Sequence, residues 1–279
     1  MNDPYLIQGP ALISFSGGRT SAFMLHEIVK AWNGNLPDDV VVAFANTGKE
    51  REETLRFVHE CGSRWGVPIV WLEFQARSGD PKMRFDVVGY NSASRRGEPF
   101  ARLIWSKKFT PNSVARFCTE ELKVNTIKNY LLHDLGWTKW TNVVGLRHDE
   151  GHRCLKQYAK NAEGNDPWQT YLPLDKARVS KRDVEAFWSS QPFDLGLRSY
   201  EGNCDLCFLK GRKTLKALIR ENPGAAGWWT SMEQQAKGSF SKEFTYADLK
   251  REVIQQPHLF DEPIGEYDVE CGLICGADD

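Results

Sequence analysis

Short apolar runs alternate with stretches of helical periodicity along the first half of the chain. Ala11–Phe15 and Val40–Ala45 are apolar almost throughout and do not alternate with polar residues. Such runs are typical of strands that are buried on both faces of a parallel sheet. Between them, apolar residues recur at helical spacing from Ala22 to Trp32, which predicts a helix over about residues 21–32.

The same alternation continues to residue 146. It predicts a helix over Arg51–Trp65, a strand over Pro68–Phe74, a helix over Glu120–Leu132 and a strand over Thr141–Leu146. Repeated strand–helix units predict an α/β fold, in this case a Rossmann-like open parallel sheet with helices on both faces. Ligands of such sheets bind at the carboxyl ends of the strands.

Two regions follow from this pattern. Residues 1–150 are predicted to form the α/β domain, interrupted by an irregular insertion over residues 75–117. Residues 151–279 are predicted to form a mainly helical C-terminal region, which carries five of the seven cysteines.

Composition and charge exclude several classes of protein. The net charge of −1 provides no general attraction to nucleic acid or to membrane surfaces. The N-terminus has no secretory signal pattern, and no apolar run approaches membrane-spanning length, so we expect a cytoplasmic protein without a membrane partner. An odd number of cysteines without an export signal also argues against a disulfide framework.

A turn rich in serine and glycine joins the first predicted strand to the first helix. Its two adjacent glycines let the backbone approach a ligand, and the following helix directs unpaired N–H groups at the turn. Two serines add hydroxyl donors, and an arginine adds charge, so the turn predicts a phosphate site. The candidate nucleotide-binding residues here are Ser14, Ser16, Gly17, Gly18, Arg19, Thr20 and Ser21.

Two further strand ends carry candidate residues. The second predicted strand ends in Asn46-Thr47-Gly48, where an open α/β sheet grips the base and sugar of a nucleotide, although a plain turn has the same composition. The fourth ends at Gly145, which we also assign to nucleotide binding. Arg147 and Arg153 follow it and suit the clamping of phosphate or sulfate in catalysis, and an exposed salt-bridged turn is the alternative.

Cys204-Asp205-Leu206-Cys207 places two thiols within reach of one metal centre. Zinc, an iron–sulfur cluster and a redox dithiol are all compatible with this spacing. A 4Fe–4S cluster would add Cys118 and one of the C-terminal cysteines, whereas a zinc site would add both Cys271 and Cys275. The separation of the two pairs is much longer than in a zinc ribbon, so we favour the cluster. Its predicted ligands are Cys118, Cys204, Cys207 and Cys275.

The insertion is strongly basic. Between Arg77 and Arg116 there are nine basic residues and three acidic ones. A solvated loop explains this composition, and so does a lid or channel that meets an anionic acceptor, either a nucleic acid or a small molecule.

Together these motifs resemble the phosphoadenosine phosphosulfate (PAPS) reductase family of the PP-loop, or adenine nucleotide alpha hydrolase, superfamily. The resemblance covers nearly the whole chain. Ser16–Ser21 resembles the PP-loop, and Asn46-Thr47-Gly48 resembles the family's Asp-Thr-Gly turn. Gly145-Leu146-Arg147 and Arg153 resemble its Gly-x-Arg-Arg-Glu-x-Ser-x-x-Arg segment. The spacing of Cys118 and the Cys-x-x-Cys pair resembles the iron–sulfur cysteines of bacterial adenylylsulfate reductases. Glu270-Cys271-Gly272-Leu273 resembles the tail whose cysteine attacks the sulfonate sulfur.

This resemblance implies an adenine nucleotide alpha hydrolase-like fold, with ATP or an adenylyl sulfonucleotide as substrate and a Mg²⁺ ion as its companion. It also implies Cys271 as the catalytic nucleophile. The chain departs from the reductases at Phe117, where the adenylylsulfate branch has a second cysteine, and at Ile274, where they have histidine. It also keeps both loop glycines, as do family members that cleave ATP between the α and β phosphates.

We therefore expect ATP-dependent adenylation of an acceptor, followed by sulfur transfer from a thiol or another sulfur donor. One alternative is reduction of a sulfonucleotide through Cys271. The other is a non-catalytic nucleotide-binding subunit of a nucleic-acid modification complex.

Overall fold

One six-stranded sheet organises the computed structural model, which describes residues 3–76 and 84–255. Its strands lie in the order β4-β3-β2-β1-β5-β6. Neighbouring strands are parallel, except that β3 and β4 are antiparallel. The strands are β1 (Ala11–Ser14), β2 (Val40–Asn46), β3 (Ile69–Phe74), β4 (Phe85–Val88), β5 (Trp140–Val143) and β6 (Trp168–Tyr171).

Helices connect and cover the strands. Within the two described ranges, none of them has the length and apolar character that crossing a bilayer requires. They are α1 (Arg19–Ala31), α2 (Glu52–Trp65), α3 (Glu98–Lys107), α4 (Phe117–Thr119), α5 (Thr126–His133), α6 (Gly151–Glu163), α7 (Pro173–Lys176), α8 (Lys181–Ser189), α9 (Arg212–Glu221), α10 (Ala226–Ala236) and α11 (Tyr246–Gln255).

Side chains of β1 alternate between two cores, one on each face of the sheet. Ala11 and Ile13 pack with residues of α1, α2 and α8, whereas Leu12 packs on the other face with residues of α5. This burial on both faces explains why the strand is apolar throughout. The predicted α/β class is confirmed, and the sheet is parallel as predicted except at the edge strand β4. The arrangement is consistent with a Rossmann-like fold.

The strand order reverses next to β1. From β1 the chain first adds β2 and β3 on one side, and then returns to add β5 and β6 on the other. Helices that leave β1 and β5 in opposite directions open a crevice between the carboxyl ends of these two strands. The fold therefore places a ligand crevice beside Ser14 and the residues after Val143.

The insertion contains regular structure that the sequence pattern did not predict. β4 adds an antiparallel edge strand, and α3 follows it. The helix predicted over Glu120–Leu132 begins earlier, at Phe117, and passes through a wider π-helical segment over Glu120–Asn125.

Residues from both sides of position 150 share the sheet and the cores. β6 is the last strand of the sheet, although it lies in the range expected to be helical. A third core joins α3 to α9, α10 and α11, with Trp229 and Tyr246 fully buried inside it. This helical layer packs against Phe74 at the end of β3 and against Leu122 in the π-helical segment.

Candidate anion site and cysteine cluster

A cavity of about 170 Å³ lies at the carboxyl ends of β1 and β5. The loop after β1 and the residues after β5 both line it, as the strand order requires. Six basic side chains and only two acidic ones surround this cavity, so its charge favours an anion although the whole chain is close to neutral. The basic residues are Arg19, Lys123, Arg147, Arg153, Lys181 and Arg198, and the acidic residues are Glu50 and Glu185.

The two glycines of the loop differ in backbone conformation and in the space around them. Gly17 has φ +80°, and a Cβ added there would lie 2.8 Å from Cγ2 of Thr54, because α2 packs directly under the loop. Gly18 has φ −96° and is the N-cap of α1. A Cβ added to Gly18 would meet nothing closer than Oγ of Ser16 at 3.8 Å, so this glycine leaves open space at the cavity wall.

Hydroxyl groups tie the loop to the first turn of α1. Oγ of Ser21 donates to the carbonyl of Gly18 at 3.0 Å and accepts from the backbone N–H of Ser16 at 3.3 Å. Oγ of Ser16 lies 2.9 Å from Oγ of Ser21. No side chain of the described residues caps the helix N-terminus. The N–H groups of this turn therefore present positive partial charge to the cavity.

Arg147 is the most deeply buried cation of this cavity. It is 6% exposed, and its guanidinium donates to Oγ1 of Thr20 at 3.1 Å and to Asp149 at 3.0 Å. The segment after β5 passes close to the first turn of α1 at Gly145, where an added Cβ would lie 3.2 Å from Cα of Ser21. A glycine at this position therefore lets the two segments approach each other. The predicted convergence of these two strand ends is therefore present in the structure.

Arg153 lines the same cavity from the first turn of α6. Its guanidinium pairs with the carboxylate of Glu150, whose other oxygen accepts from the backbone N–H of Arg147. The two arginines are thus held by one acidic turn beside the loop.

Arg19, which the sequence suggested as a phosphate-binding charge, makes an ion pair within the protein. Its side chain lines the cavity, but its guanidinium pairs with Asp194 and donates to the carbonyl of Leu197 at 2.9 Å. Burial alone would raise the pKa of Asp194, but hydrogen bonds from Arg19 and the Gly196 N–H outweigh it and hold this pKa below its usual value. Arg19 thus ties α1 to the segment after α8.

The Asp194 pair predicts a stability change at acid pH. A carboxyl group with a lowered folded-state pKa stabilises the fold above its unfolded pKa of about 3.9 and loses this contribution as pH falls. Both side chains are about one-third exposed, so solvent screening limits the effect to about 1 kcal/mol. We expect Asp194→Asn to reduce the slope of the free energy of unfolding against pH below about pH 4, measured by urea denaturation. Asp38→Asn, which removes an exposed carboxylate, should keep the wild-type slope.

The Asn46-Thr47-Gly48 turn lies away from this cavity. Asn46 is fully buried, and its side-chain N–H groups donate to Glu73 at 2.6 Å and to the carbonyl of Ser94 at 2.9 Å. Its side-chain oxygen Oδ1 accepts from the N–H of Gly48 at 3.1 Å. None of the three residues lines the basic cavity. In this structure the turn contacts the insertion at Ser94 instead of facing the crevice.

The same turn holds the Cys-x-x-Cys segment. Glu50 and Cys204 form an isolated antiparallel bridge, and the N–H of Asp205 donates to the carbonyl of Lys49 at 2.8 Å. Oγ1 of Thr47 lies 3.7 Å from Sγ of Cys204. The turn after β2 is therefore a platform for the predicted metal ligands.

Three of the four predicted cluster ligands, Cys118, Cys204 and Cys207, line one small cavity of about 30 Å³. Burial, with Glu50 close by, raises the pKa of the Cys204 thiol above its usual range. Within residues 3–76 and 84–255, no group of three or more histidine, cysteine or acidic side chains is arranged to hold a metal ion. Cys271 and Cys275 lie outside the described residues.

The thiol cavity and the basic cavity are adjacent, because Lys123 and Asn203 line both of them. Nζ of Lys123 lies 3.9 Å from Oε1 of Glu50, which is itself a wall of the basic cavity. The two cavities are therefore only one side chain apart.

Several residues of the site carry no local sequence signal. Lys123, Lys181 and Arg198 lie in different segments and meet only in the fold. Lys210 is 3% exposed and donates to the carbonyls of Cys204 at 3.0 Å and Asp205 at 3.1 Å, so it braces the thiol loop. The one sequence signal for this contact is that Lys210 lies three residues after Cys207.

Acidic neighbours neutralise part of the basic insertion. Arg95 pairs with Glu52 at 2.7 Å, and Lys107 pairs with Glu121 at 2.6 Å. Arg116 lines the thiol cavity. The described part of the insertion is therefore a packed wall of the molecule rather than only a solvated loop.

The fold and cavity define an α/β protein with a mostly parallel six-stranded sheet and a basic crevice at its switch point. Comparison with known proteins then gives a family. A curated relative is the "Uncharacterized nin region protein ORF290" of Escherichia phage lambda, 30% identical over 219 residues, which cover 76% of this chain and 70% of the relative. The chain belongs to the family of this phage protein. No model of a protein family and no solved structure matches the chain.

Proposed function

We propose that this chain is a PP-loop enzyme of the PAPS reductase family, with an adenine nucleotide alpha hydrolase-like fold, and that it binds ATP in the basic cavity. The observation that carries this proposal is the loop Ser16–Ser21, which lies at an uncapped helix N-terminus inside a cavity with six basic side chains. Oriented N–H groups and cations of this kind stabilise the charge of a leaving pyrophosphate.

The proposed reaction is adenylation of an acceptor oxygen by the α-phosphate of ATP, with pyrophosphate as the leaving group. A sulfur nucleophile from a thiol or another sulfur donor then displaces AMP. Arg147 is held rigidly beside Thr20 and orients the phosphates, whereas Arg153 is more exposed and meets the part of the substrate nearest solvent.

Glu50 suits a Mg²⁺ ion that would accompany the nucleotide. Its Oε2 accepts two hydrogen bonds from Thr47. Its buried Oε1 has no hydrogen-bond partner among the described residues and lies 3.9 Å from Nζ of Lys123. Mg²⁺ in nucleotide sites is commonly bound by one or two carboxylates together with substrate phosphates. Glu50 would supply that carboxylate at the wall of the cavity.

The proposed ligands of a 4Fe–4S cluster are Cys118, Cys204, Cys207 and Cys275. Three of these thiols line one cavity, but within the described residues they are not arranged as a metal site, so a cluster would have to draw their sulfurs together. Arg116 and Lys123 in the cavity wall would offset the negative charge of a thiolate-bound cluster. A bound cluster would supply a binding or redox centre for sulfur. Zinc bound by Cys204, Cys207, Cys271 and Cys275 is the weaker alternative.

Nucleotide binding and turnover test the proposal. We expect MgATP to raise the melting temperature, since a ligand that binds only the folded state stabilises it. Arg153→Ala should weaken ATP binding about tenfold or more, because it removes a charged hydrogen-bond donor. Arg251→Ala is the matched control, since Arg251 also pairs with an acidic residue three positions away, but on α11.

Release of pyrophosphate with candidate acceptors then separates the alternatives. A larger thermal shift with adenylylsulfate or PAPS than with ATP favours the reductase alternative. ATP binding without pyrophosphate release favours the non-catalytic subunit. The absence of a shift with every nucleotide contradicts the proposal.

A further inference from the structure

A second and larger cavity lies on the face of the sheet that α5 covers. Its volume is about 460 Å³, within the range of small-molecule sites. Residues of β1, β5 and β6 form its floor, and residues of α5 and α6 form its sides. Ser14 is the one residue that lines both this cavity and the basic cavity, among the residues that the structure describes.

Two tryptophans form an aromatic wall in this cavity. The rings of Trp140 and Trp168 have centroids 5.3 Å apart and are tilted by 30°. Trp168 is half-buried, and Nζ of Lys128 lies 5.7 Å from its ring centroid. A half-exposed indole beside a cation is a stacking surface for a planar heterocycle.

One buried polar group in the same cavity lacks a partner. Trp140 is 6% exposed, and its Nε1 has no hydrogen-bond partner in the described part of the chain. Gln157, which is 5% exposed, also lines the cavity and carries an amide that can both donate and accept. A buried donor without a partner costs about 1–3 kcal/mol, so the indole N–H calls for a ligand that carries an acceptor.

The charged residues around the cavity point to a phosphate next to that heterocycle. Arg116, Lys128 and Lys160 line it, against the acidic pair Glu120 and Asp166. This excess of cations suits a ligand with at least one phosphate.

We infer that this cavity binds a nucleobase with an attached phosphate, and that the base stacks on Trp168. The edge of a nucleobase offers ring nitrogens and carbonyl oxygens to the indole N–H of Trp140, and amino groups or further acceptors to Gln157. This site is separate from the basic cavity and needs neither ATP nor a metal centre. It offers a place for a base of an acceptor nucleic acid or of a free nucleotide.

Direct binding without ATP tests the inference. A fluorescein-labelled single-stranded oligonucleotide of mixed sequence is titrated with the full chain, and anisotropy is recorded. Loss of one stacking contact should weaken binding about tenfold in Trp168→Ala. Trp168→Phe keeps an aromatic ring and should retain most of the affinity. Trp105→Ala, which removes an exposed tryptophan outside the cavity, should bind like wild type.

Competition identifies the source of the base. If AMP, CMP, GMP and UMP displace the oligonucleotide at equal nucleotide concentration, the ligand is a free nucleotide. If they do not, the ligand is a single strand of nucleic acid. The inference is overturned if neither the oligonucleotide nor any of the four mononucleotides binds the protein. It is also overturned if Trp168→Ala and Trp105→Ala bind the oligonucleotide with equal affinities while both retain the wild-type melting temperature. A failure of ATP to bind leaves these readouts unchanged.

Discussion

Gly17→Ala is expected to lower the free energy of unfolding by about 2–5 kcal/mol. A residue other than glycine at φ +80° costs about 1–2 kcal/mol. The added methyl would also lie 2.8 Å from Thr54 Cγ2, 3.1 Å from Val58 Cγ2 and 3.2 Å from Phe44 Cε2. All three neighbours are buried, two of them on α2 and the third on β2, so the added methyl overpacks this region, which costs about 1–3 kcal/mol more. Chemical denaturation measures the loss.

Gly18→Ala is the matched control for this prediction. Its φ of −96° suits any residue, and its nearest neighbour would be 3.8 Å away, so the free energy of unfolding should stay within about 0.5 kcal/mol of wild type. Thr54→Ser removes the closest methyl and should destabilise Gly17→Ala less than it destabilises the wild type. Equal losses for Gly17→Ala and Gly18→Ala would contradict the geometry described for this loop.

Cys204→Ala is expected to abolish iron binding. The proposed cluster has three ligands in the described residues, and Cys204 is the one that the turn after β2 holds through the Glu50 bridge. After anaerobic purification, the wild type should contain iron and acid-labile sulfide and absorb visible light, and Cys204→Ala should lose all three signals. Cys61→Ala is the control, since it removes a thiol that lies on the buried face of α2 and outside the thiol cavity.

Substitution of the two C-terminal cysteines tests the different roles proposed for them. Cys275→Ser should bleach the cluster, whereas Cys271→Ser should leave it intact, because Cys275 is the proposed fourth ligand. Bleaching by Cys271→Ser would exchange these assignments and remove the nucleophile from the reductase alternative. A colourless wild-type protein that contains zinc would replace the cluster with the zinc alternative.

Strong local patterns made most of the sheet predictable. β1, β2 and β3 are buried on both faces and therefore appear as apolar runs, and α1 and α2 show helical periodicity against them. β4 and β6 bury only part of their side chains, whereas β1 is equally short but fully buried. The two partly buried strands therefore lack a clear apolar signal, and it is pairing with β3 and β5 that holds them in the sheet.

Parts of the site could be predicted because they follow strand ends. The parallel sheet brings the Ser16–Ser21 loop and Arg147 to the same edge, as the sequence indicated. Arg19 and the Asn46-Thr47-Gly48 turn behaved differently, since their partners are distant in sequence. Asp194 lies 175 residues from Arg19, and Cys204 lies 157 residues from Thr47. Composition near the motif carries no information about such contacts.

The parallel direction of the strands has a practical result for handling this molecule. The proposed ligand contacts of the basic cavity lie on the side of the sheet where the parallel strands end, so the turns that enter these strands lie on the opposite side. Asn35 lies in an exposed turn that joins α1 to β2. A dye or surface tether attached through Asn35→Cys would leave the basic crevice facing solution. Immobilised protein could then be screened with nucleotides in a defined orientation.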